Sequence, residues 1–430
     1  MEKEAVTAVI ATSVIHCGAT VAKTVPIQRL SHAVSHGVGL SPVSDAFDLG
    51  GGIDPLQSLA RPDGDLRLHP DVDVLRTLGG APGFAWAPVD RTYPDGSPYP
   101  LDQRLFAKRM IAQLAATGTS ARAGFEIEWS VGLPDDGFTP GTDGGPYGAR
   151  RILACHDYVR DVITALDECG IPVEQLHPEY APGQFEVALP TRDPLTAADE
   201  VVLAKLAIGT VTDAHGLRAS FSPMVTPDLT GNGGHLHFSL SRAGHPLFGG
   251  GEGPGGLTPD GEQVIAGLVA HLPGLLAITA PASVSYLRLR PNEWAGVYRV
   301  WGVENREAPI RLVPALDPQA ANVEVKNADL MANPYLFVGC VLAVASATLS
   351  GDVVEQLPEP VVGDPGLSDC ERLPSTLTEA VAAFRADPVL ASAMGEDLHR
   401  TIAESREAEV RRTAGMSADE IVASTRWWAG

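Results

Sequence analysis

The chain lacks the marks of several whole protein classes. It contains no run of basic residues, and 31 lysines and arginines stand against 53 acidic residues, a formal charge of -22. That balance excludes nucleic acid as a main partner and disfavours an anionic membrane surface. The five cysteines, Cys17, Cys155, Cys169, Cys340 and Cys370, are scattered and odd in number, with no C-x-x-C pair. Free thiols in a reducing compartment are therefore expected, rather than disulfides or a zinc knot. No G-x-x-x-x-G-K-S/T occurs, so any ATP site lies outside the P-loop architecture. The opening Met-Glu-Lys-Glu-Ala is too acidic, and the apolar run after it too interrupted, for a signal peptide. Tyr335 to Leu349, the longest apolar stretch, is short of a bilayer and reads as a buried helix. A cytoplasmic protein with no membrane partner is expected.

At 430 residues with 44% hydrophobic content, the chain has enough apolar material for two domains around a large core. Residues 1–97 are strand-like and punctuated by turns, with β-branched runs at Val6–Ile15 and Val21–Ile27, and the cluster Pro94–Pro100 suggests a boundary. Residues 98–430 form the larger second domain. There Asp102 opens a helical pattern that sends Leu105, Phe106, Ile111 and Leu114 inward and stops at Gly118. A second helix, His156–Cys169, places Val159, Val162, Ile163 and Leu166 on one face and stops at Gly170. Helix and strand go on alternating through residue 222, Gly249–Gly256 is a glycine-rich loop, and the region past about 375 is mostly helical.

What is present in quantity is a set of carboxylates and imidazoles in short pairs: Glu126/Glu128, Glu179/Glu186 and His235/His237, with Glu324 further on. Gly124–Trp129, His235–Leu240 and Asn322–Lys326 alternate polar with apolar residues, so on strands their polar members share one face. Two glutamates on one face with no basic residue between them repel unless a cation lies there, and hard divalent cations take oxygen ligands. Other motif readings fail on context. A cupin-type reading of His235-x-His237 lacks its glutamate, His177-x-Glu179 is followed by no C-x-x-C, and Gly251-x-Gly253-x-x-Gly256 has no strand closely before it. Arg288, Arg306, Arg311 and Lys326 sit in segments that look buried, where a cation needs an anionic partner. Internal salt bridges would satisfy them; so would a phosphoryl group and a substrate carboxylate.

Six motifs carry a resemblance: Ala123–Glu128, His177–Glu186, Gly231–Leu240, Ser285–Leu289, Glu304–Arg311, and Asn322–Lys326 with Ala332–Tyr335. In this order and spacing they resemble the glutamine synthetase family, in particular its bacterial type I branch and the glutamine-synthetase-like relatives that include γ-glutamyl-amine ligases. The resemblance runs from about residue 64 to the C-terminus. It implies an α+β protein with an N-terminal β-grasp domain, a glutamine synthetase catalytic domain built on an antiparallel sheet with flanking helices, and a homododecamer. It implies ATP and two Mg²⁺ or Mn²⁺ as cofactors, with Glu128, Glu179 and Glu186 on one metal and Glu126, His235 and Glu324 on the other. Arg306, His237 and Lys326 would serve the transferred phosphoryl group, Arg306 and Arg311 the nucleotide, and Arg288 with Gly231 and Gly233 the amino-acid donor. Tyr147 would line the amine pocket. The implied reaction joins a carboxylate, glutamate by family pattern, to an amine through a γ-glutamyl phosphate.

Two positions depart from the pattern. Ile15 aligns with an aspartate that serves ammonium in the family, and Trp294 with the usual flap glutamate; Glu293, one residue away, is the candidate replacement. Both changes fall on the amine side. Ammonia is mostly protonated at neutral pH, so losing carboxylates that hold the cation and take its proton penalises ammonia most. The expectation is an ATP-dependent ligase that forms a γ-glutamyl amide with an organic amine. The alternatives are a true ammonia-using glutamine synthetase, a ligase with another carboxylic acid donor, and a catalytically silent relative.

Overall fold

A computed structural model describes residues 5–367 and 370–430. Strands β1 (Ala8–Val14), β2 (Thr20–Pro26), β3 (Val38–Leu40), β4 (Leu66–Pro70), β5 (Arg76–Thr77) and β6 (Phe84–Thr92) form a six-stranded sheet ordered β2-β1-β6-β4-β3, with β5 beside β6. β1 runs antiparallel to β2 and parallel to β6. Helix α1 (Leu30–His36) links β2 to β3, and nothing in the β-branched pattern of this region announced it.

Helix α2 (Gln103–Ala116) begins where its cap demands: the Asp102 side chain accepts from the Leu105 N–H. Its buried face carries Phe106, Ala107, Met110 and Leu114 and also Gln103 and Arg104, whose charge is answered by Asp199, Asp71 and Asp90. Next come β7 (Thr119–Gly132), α3 (Ala149–Ala154), α4 (His156–Glu168), β8 (Gln175–Pro178), β9 (Gln184–Ala188), α5 (Pro194–Ala214) and β10 (Arg218–Ser220). They are followed by β11 (Gly234–Arg242), β12 (His245–Pro246), α6 (Pro259–Thr279), α7 (Ser285–Arg288), β13 (Trp301–Val303), β14 (Ile310–Val313) and β15 (Asn322–Val325). The last elements are α8 (Pro334–Leu349), α9 (Leu377–Ala386), α10 (Pro388–Met394), α11 (Glu396–Arg412) and α12 (Ala418–Thr425).

The second sheet has nine strands in the order β13-β14-β15-β11-β7-β9-β8, with β10 on β7 and β12 on β11. Every pairing is antiparallel except β13 with β14. Sheets with helices packed about them, mostly antiparallel, make the class α+β. Helix α8 is buried on every side, as an all-apolar helix must be. α6 is long and apolar enough to cross a membrane by length and composition, but most of it is buried in the protein. Pro273 inside α6 cannot donate to the Val269 carbonyl, and Arg299 Nε supplies that bond instead at 3.1 Å. The five cysteines are unpaired, as expected.

One expectation about packing is corrected. Ile163 does not face the core: it is 40% exposed, and the inward face of α4 is Tyr158, Val159, Val162, Ala165 and Leu166. With 100° per residue, Ile163 lies at the edge of that stripe, and Tyr158 and Ala165 complete it on the other side.

The two sheets are tied by buried polar bonds. Arg91 in β6 donates to Asp45 (2.8 Å) and to Asp102 at the start of α2 (3.0 Å), all out of solvent. Asn333 caps α8 by accepting from the Tyr335 and Leu336 N–H groups, and donates to the Val14 and Ile15 carbonyls after β1.

Candidate active site

The register of the second sheet builds the site. Arg311 pairs with Glu324 across β14 and β15, Glu324 with His237 across β15 and β11, and His235 with Glu126 across β11 and β7. Glu128 then pairs with Glu186 across β7 and β9, and Glu186 with His177 across β9 and β8. Directly opposed residues share a face, and so do residues two apart on one strand. Eight charged or titratable side chains, with Lys326 just past β15, therefore form a band across six neighbouring strands. The apolar alternates Phe125, Ile127, Leu236, Val323 and Val325 go into the core beneath.

The distances divide the band into two groups. In the first, His235 Nδ1 lies 2.9 Å from Glu126 Oε2 and 3.4 Å from Glu324 Oε1, and His237 Nε2 lies 3.3 Å from Glu126 Oε1. His237 is oriented by a 2.8 Å bond between its Nδ1 and Asn322 Oδ1. Lys326 Nζ and Arg311 Nη1 approach Glu324 at 3.3 and 3.0 Å, and Arg311 also pairs with Glu304. In the second, His177 Nε2 lies 3.0 Å from Glu179 Oε1 and 3.8 Å from Glu186 Oε1. Each group brings three ligand atoms within 4.8 Å of one another: Glu126, His235 and Glu324 in one, His177, Glu179 and Glu186 in the other.

Electrostatics differ between the halves. Burial pushes the Glu126 carboxyl up, but bonds and charge from His235 and His237 outweigh it and hold Glu126 well below the usual range. Burial likewise opposes Glu324, and Lys326, His235 and His237 bring it down to about 2. His237 is raised: burial lowers it, and the carboxylates of Glu126 and Glu324 more than compensate. Glu186 has no such partner. Burial first, then Glu126, Glu128 and Glu179, push it up to about 10. A buried carboxyl among like charges is satisfied by a proton or by a cation, and a set of carboxylates with one imidazole suits Mg²⁺ or, better, Mn²⁺. The donor set fits the two divalent ions.

Several residues sit differently from expectation. Glu128 is engaged by the protein: its Oε2 accepts from the Gly233 N–H (2.8 Å) and from Gln184 Nε2 (3.1 Å). The imidazole grouped with Glu179 and Glu186 is His177, whose signal was in the sequence as the alternate partner of Glu179. Arg306 is exposed, not buried; the inward place in its turn is taken by Glu307. Ile15 is fully buried within its own chain, where its carbonyl accepts from the Asn333 side chain that caps α8. Glu293 and Trp294 are exposed on the turn-rich loop after α7, where Asn292 and Trp294 take left-handed backbone (φ 63° and 52°).

The remaining candidate residues lie beside this band. Arg288, buried, donates to the Ala328 carbonyl at 3.1 Å and has Nη2 3.4 Å from His235 Nε2. A Cβ on Gly233 would collide with His235 Nε2, Arg288 Nη2 and Glu128 Oε1, so only glycine leaves that space open. The Gly231 carbonyl accepts from Gln184 Nε2 at 3.0 Å. Tyr147, half exposed and also left-handed (φ 52°), stacks on His177 at 6.0 Å. Its hydroxyl is pushed up to about 12 by burial and then by the Glu179 charge.

A floor of buried carboxylates and imidazoles edged by cations defines the class: a site for divalent ions and anionic substrates. Comparison with known proteins makes this specific. Residues 100–422 match the family "Glutamine synthetase, catalytic domain". The chain is 44% identical over 420 residues to gamma-glutamylpolyamine synthetase GlnA3 of Streptomyces coelicolor, covering 94% of this chain and 90% of that one. It is 31% identical over 391 residues to glutamine synthetase of Pyrococcus abyssi, covering 86% and 83%. Among solved structures, a novel glutamine synthase homolog superposes with a TM-score of 0.87 at 27% identity, covering 97% of both chains. A GmaS/ADP complex gives 0.85 at 26%, covering 96% and 95%. The chain belongs to the glutamine synthetase family. It is accordingly an ATP-dependent acid-amine ligase that forms a carbon–nitrogen bond.

Proposed function

We propose that the enzyme joins the γ-carboxylate of glutamate to an organic amine, a polyamine in particular, and that ammonia is a poor acceptor. The observation that supports this reading is Trp294: an exposed indole stands at the position that the family pattern gives to an acceptor-side glutamate, while the charged band remains whole. The relative named as a gamma-glutamylpolyamine synthetase supports the same acceptor class.

Arg288 would hold the donor's α-carboxylate by charge-assisted bonds, and the opening at Gly233 would admit its amino group. The γ-carboxylate oxygen attacks the γ-phosphorus of ATP; the new O–P bond forms as the bond to ADP breaks. The amine nitrogen then attacks the acyl carbon, and the C–O bond to phosphate breaks. Lys326, His237 and Arg306 would answer the charge on the moving phosphoryl group, and Arg306 and Arg311 the nucleotide. Glu126, His235 and Glu324 would hold one divalent ion; Glu179 and Glu186, with Glu128 or His177, would hold the other. Bound there, the ions neutralise phosphate charge and align the displacement. Tyr147 would border the amine pocket, and Glu293 would lie beside it. A domain boundary at about residue 97, a homododecamer and a cytoplasmic location complete the proposal.

The test is ADP release with glutamate and ATP against ammonium, alkylamines, ethanolamine, polyamines, aromatic amines and hydroxylamine. Efficient glutamine formation at low millimolar ammonium, with no gain from any amine, would refute it. ATP-dependent inhibition by methionine sulfoximine checks glutamate as the donor.

A further inference from the structure

Resting on the acid-amine reading above, we propose that Glu307 is the acceptor-side carboxylate: it binds the cationic amine and takes its first proton. An amine at neutral pH arrives as an ammonium ion and attacks only after losing a proton, so the site needs a base that the divalent ions do not occupy.

The carboxylates of the band are already engaged. Glu126 is held by two imidazoles, Glu128 by the Gly233 N–H and Gln184, Glu324 by Lys326 and Arg311, and Glu179 and Glu186 cluster with His177. Glu307 is different. It is only 8% exposed; its Oε1 accepts from the Trp294 N–H at 2.9 Å, and its buried Oε2 has no hydrogen-bond partner among the described residues. A buried carboxylate oxygen without a donor has a desolvation cost that a ligand's ammonium group would relieve.

Its position suits the task. Two residues on, the Pro309 carbonyl accepts from the Lys326 N–H (2.9 Å), which ties this segment to the charged band. Glu307 is thus joined on one side to the Trp294 loop and on the other to the strand end that carries Lys326. Burial raises its proton affinity, with Asp364 and Glu293 adding to it, while the Trp294 N–H and Lys326 act the other way; the net rise is in the direction a base needs. Glu293, solvent-exposed, lacks the desolvation.

The step balances. The ammonium gives one proton to Glu307; the free amine forms the C–N bond as the C–O bond to phosphate breaks; the second nitrogen proton leaves with the departing phosphate. Hydroxylamine, uncharged at neutral pH, needs neither the cation site nor the first transfer.

The experiment compares kcat/KM for a diamine and for hydroxylamine in the parent, Glu307→Gln, Glu307→Asp and Glu293→Gln. The ratio of diamine to hydroxylamine is expected to fall roughly 100-fold in Glu307→Gln, the scale of a lost general base. It should fall less in Glu307→Asp, and by less than about tenfold in Glu293→Gln, whose exposed carboxylate is screened by solvent. ATP-dependent inhibition by methionine sulfoximine, which reads the donor side alone, should persist in each variant. A ratio unchanged in both Glu307 variants, an equal loss with both acceptors, or the fall appearing in Glu293→Gln instead would overturn the proposal. A parent that uses ammonium and no amine would refute the acceptor reading instead, and the two failures are distinct.

Discussion

Removing the charge of Glu186 should make the metal-free enzyme more stable and the metal-loaded enzyme less so. The fold raises this carboxyl from 4.5 to about 10, through burial and three neighbouring glutamates. At pH 7 the folded chain therefore keeps a proton that the unfolded chain releases. Each pH unit between the unfolded value and pH 7 costs about 1.4 kcal/mol, a total of about 3 kcal/mol. The sign follows from the raised value: stability is full below about pH 4.5 and declines as pH rises toward 10. Glu186→Gln keeps the shape and removes the titration. In EDTA at pH 7 the variant should melt about 3 °C above the parent, given roughly 2 cal/mol/K of unfolding entropy per residue. The gap should shrink to about 1 °C at pH 5, vanish below about pH 4 and widen at pH 8. With saturating Mn²⁺ the order should invert, because the parent keeps a ligand that the variant lacks. Differential scanning calorimetry across pH, with and without metal, reads all of this. A metal-free variant less stable than the parent at pH 8, or a gap that ignores pH, would refute the reasoning.

Other outcomes follow from the same structure. Arg288→Lys loses the planar fork and should raise the KM for glutamate ~10- to 100-fold, the size of one or two charge-assisted bonds, while the KM for ATP moves little; initial-rate kinetics would show it. Asn333→Ala removes the cap of α8 and two bonds to the strand-end carbonyls, and should cost about 2 kcal/mol in urea denaturation. Arg91→Met strands Asp45 and Asp102 in the interior and should cost about 3–5 kcal/mol, visible as a large drop in denaturation midpoint.

Much of the floor was legible because a strand's period of two is strict. Once Glu126-x-Glu128, His235-x-His237 and Asn322-x-Glu324 were placed on strands, the shared face followed, and the register brought the pairs together. The Asp102 cap was equally readable, since the side chain that starts the helix is local to it. The failures came where local pattern gives no position in space. Ile163 lay at the edge of a helical stripe, where one residue decides between core and solvent. Arg306 and Glu307 are neighbours in a turn with no period, so nothing in the letters says which one points inward.

The placement of the charged band on paired strands has a consequence for how such a chain can diverge. A single inserted or deleted residue within β7, β9, β11 or β15 would move every following side chain to the opposite face and carry carboxylates into the apolar core. Length changes among relatives should therefore be confined to the connections between strands. The segment from residue 289 to 309, which carries Trp294 and Glu307, is mostly such a connection, interrupted only by the short edge strand β13. Away from Arg299, Arg306 and Glu307 it can change length and letters while the floor stays in register, so new acceptors can be tried without rebuilding the chemistry beneath them.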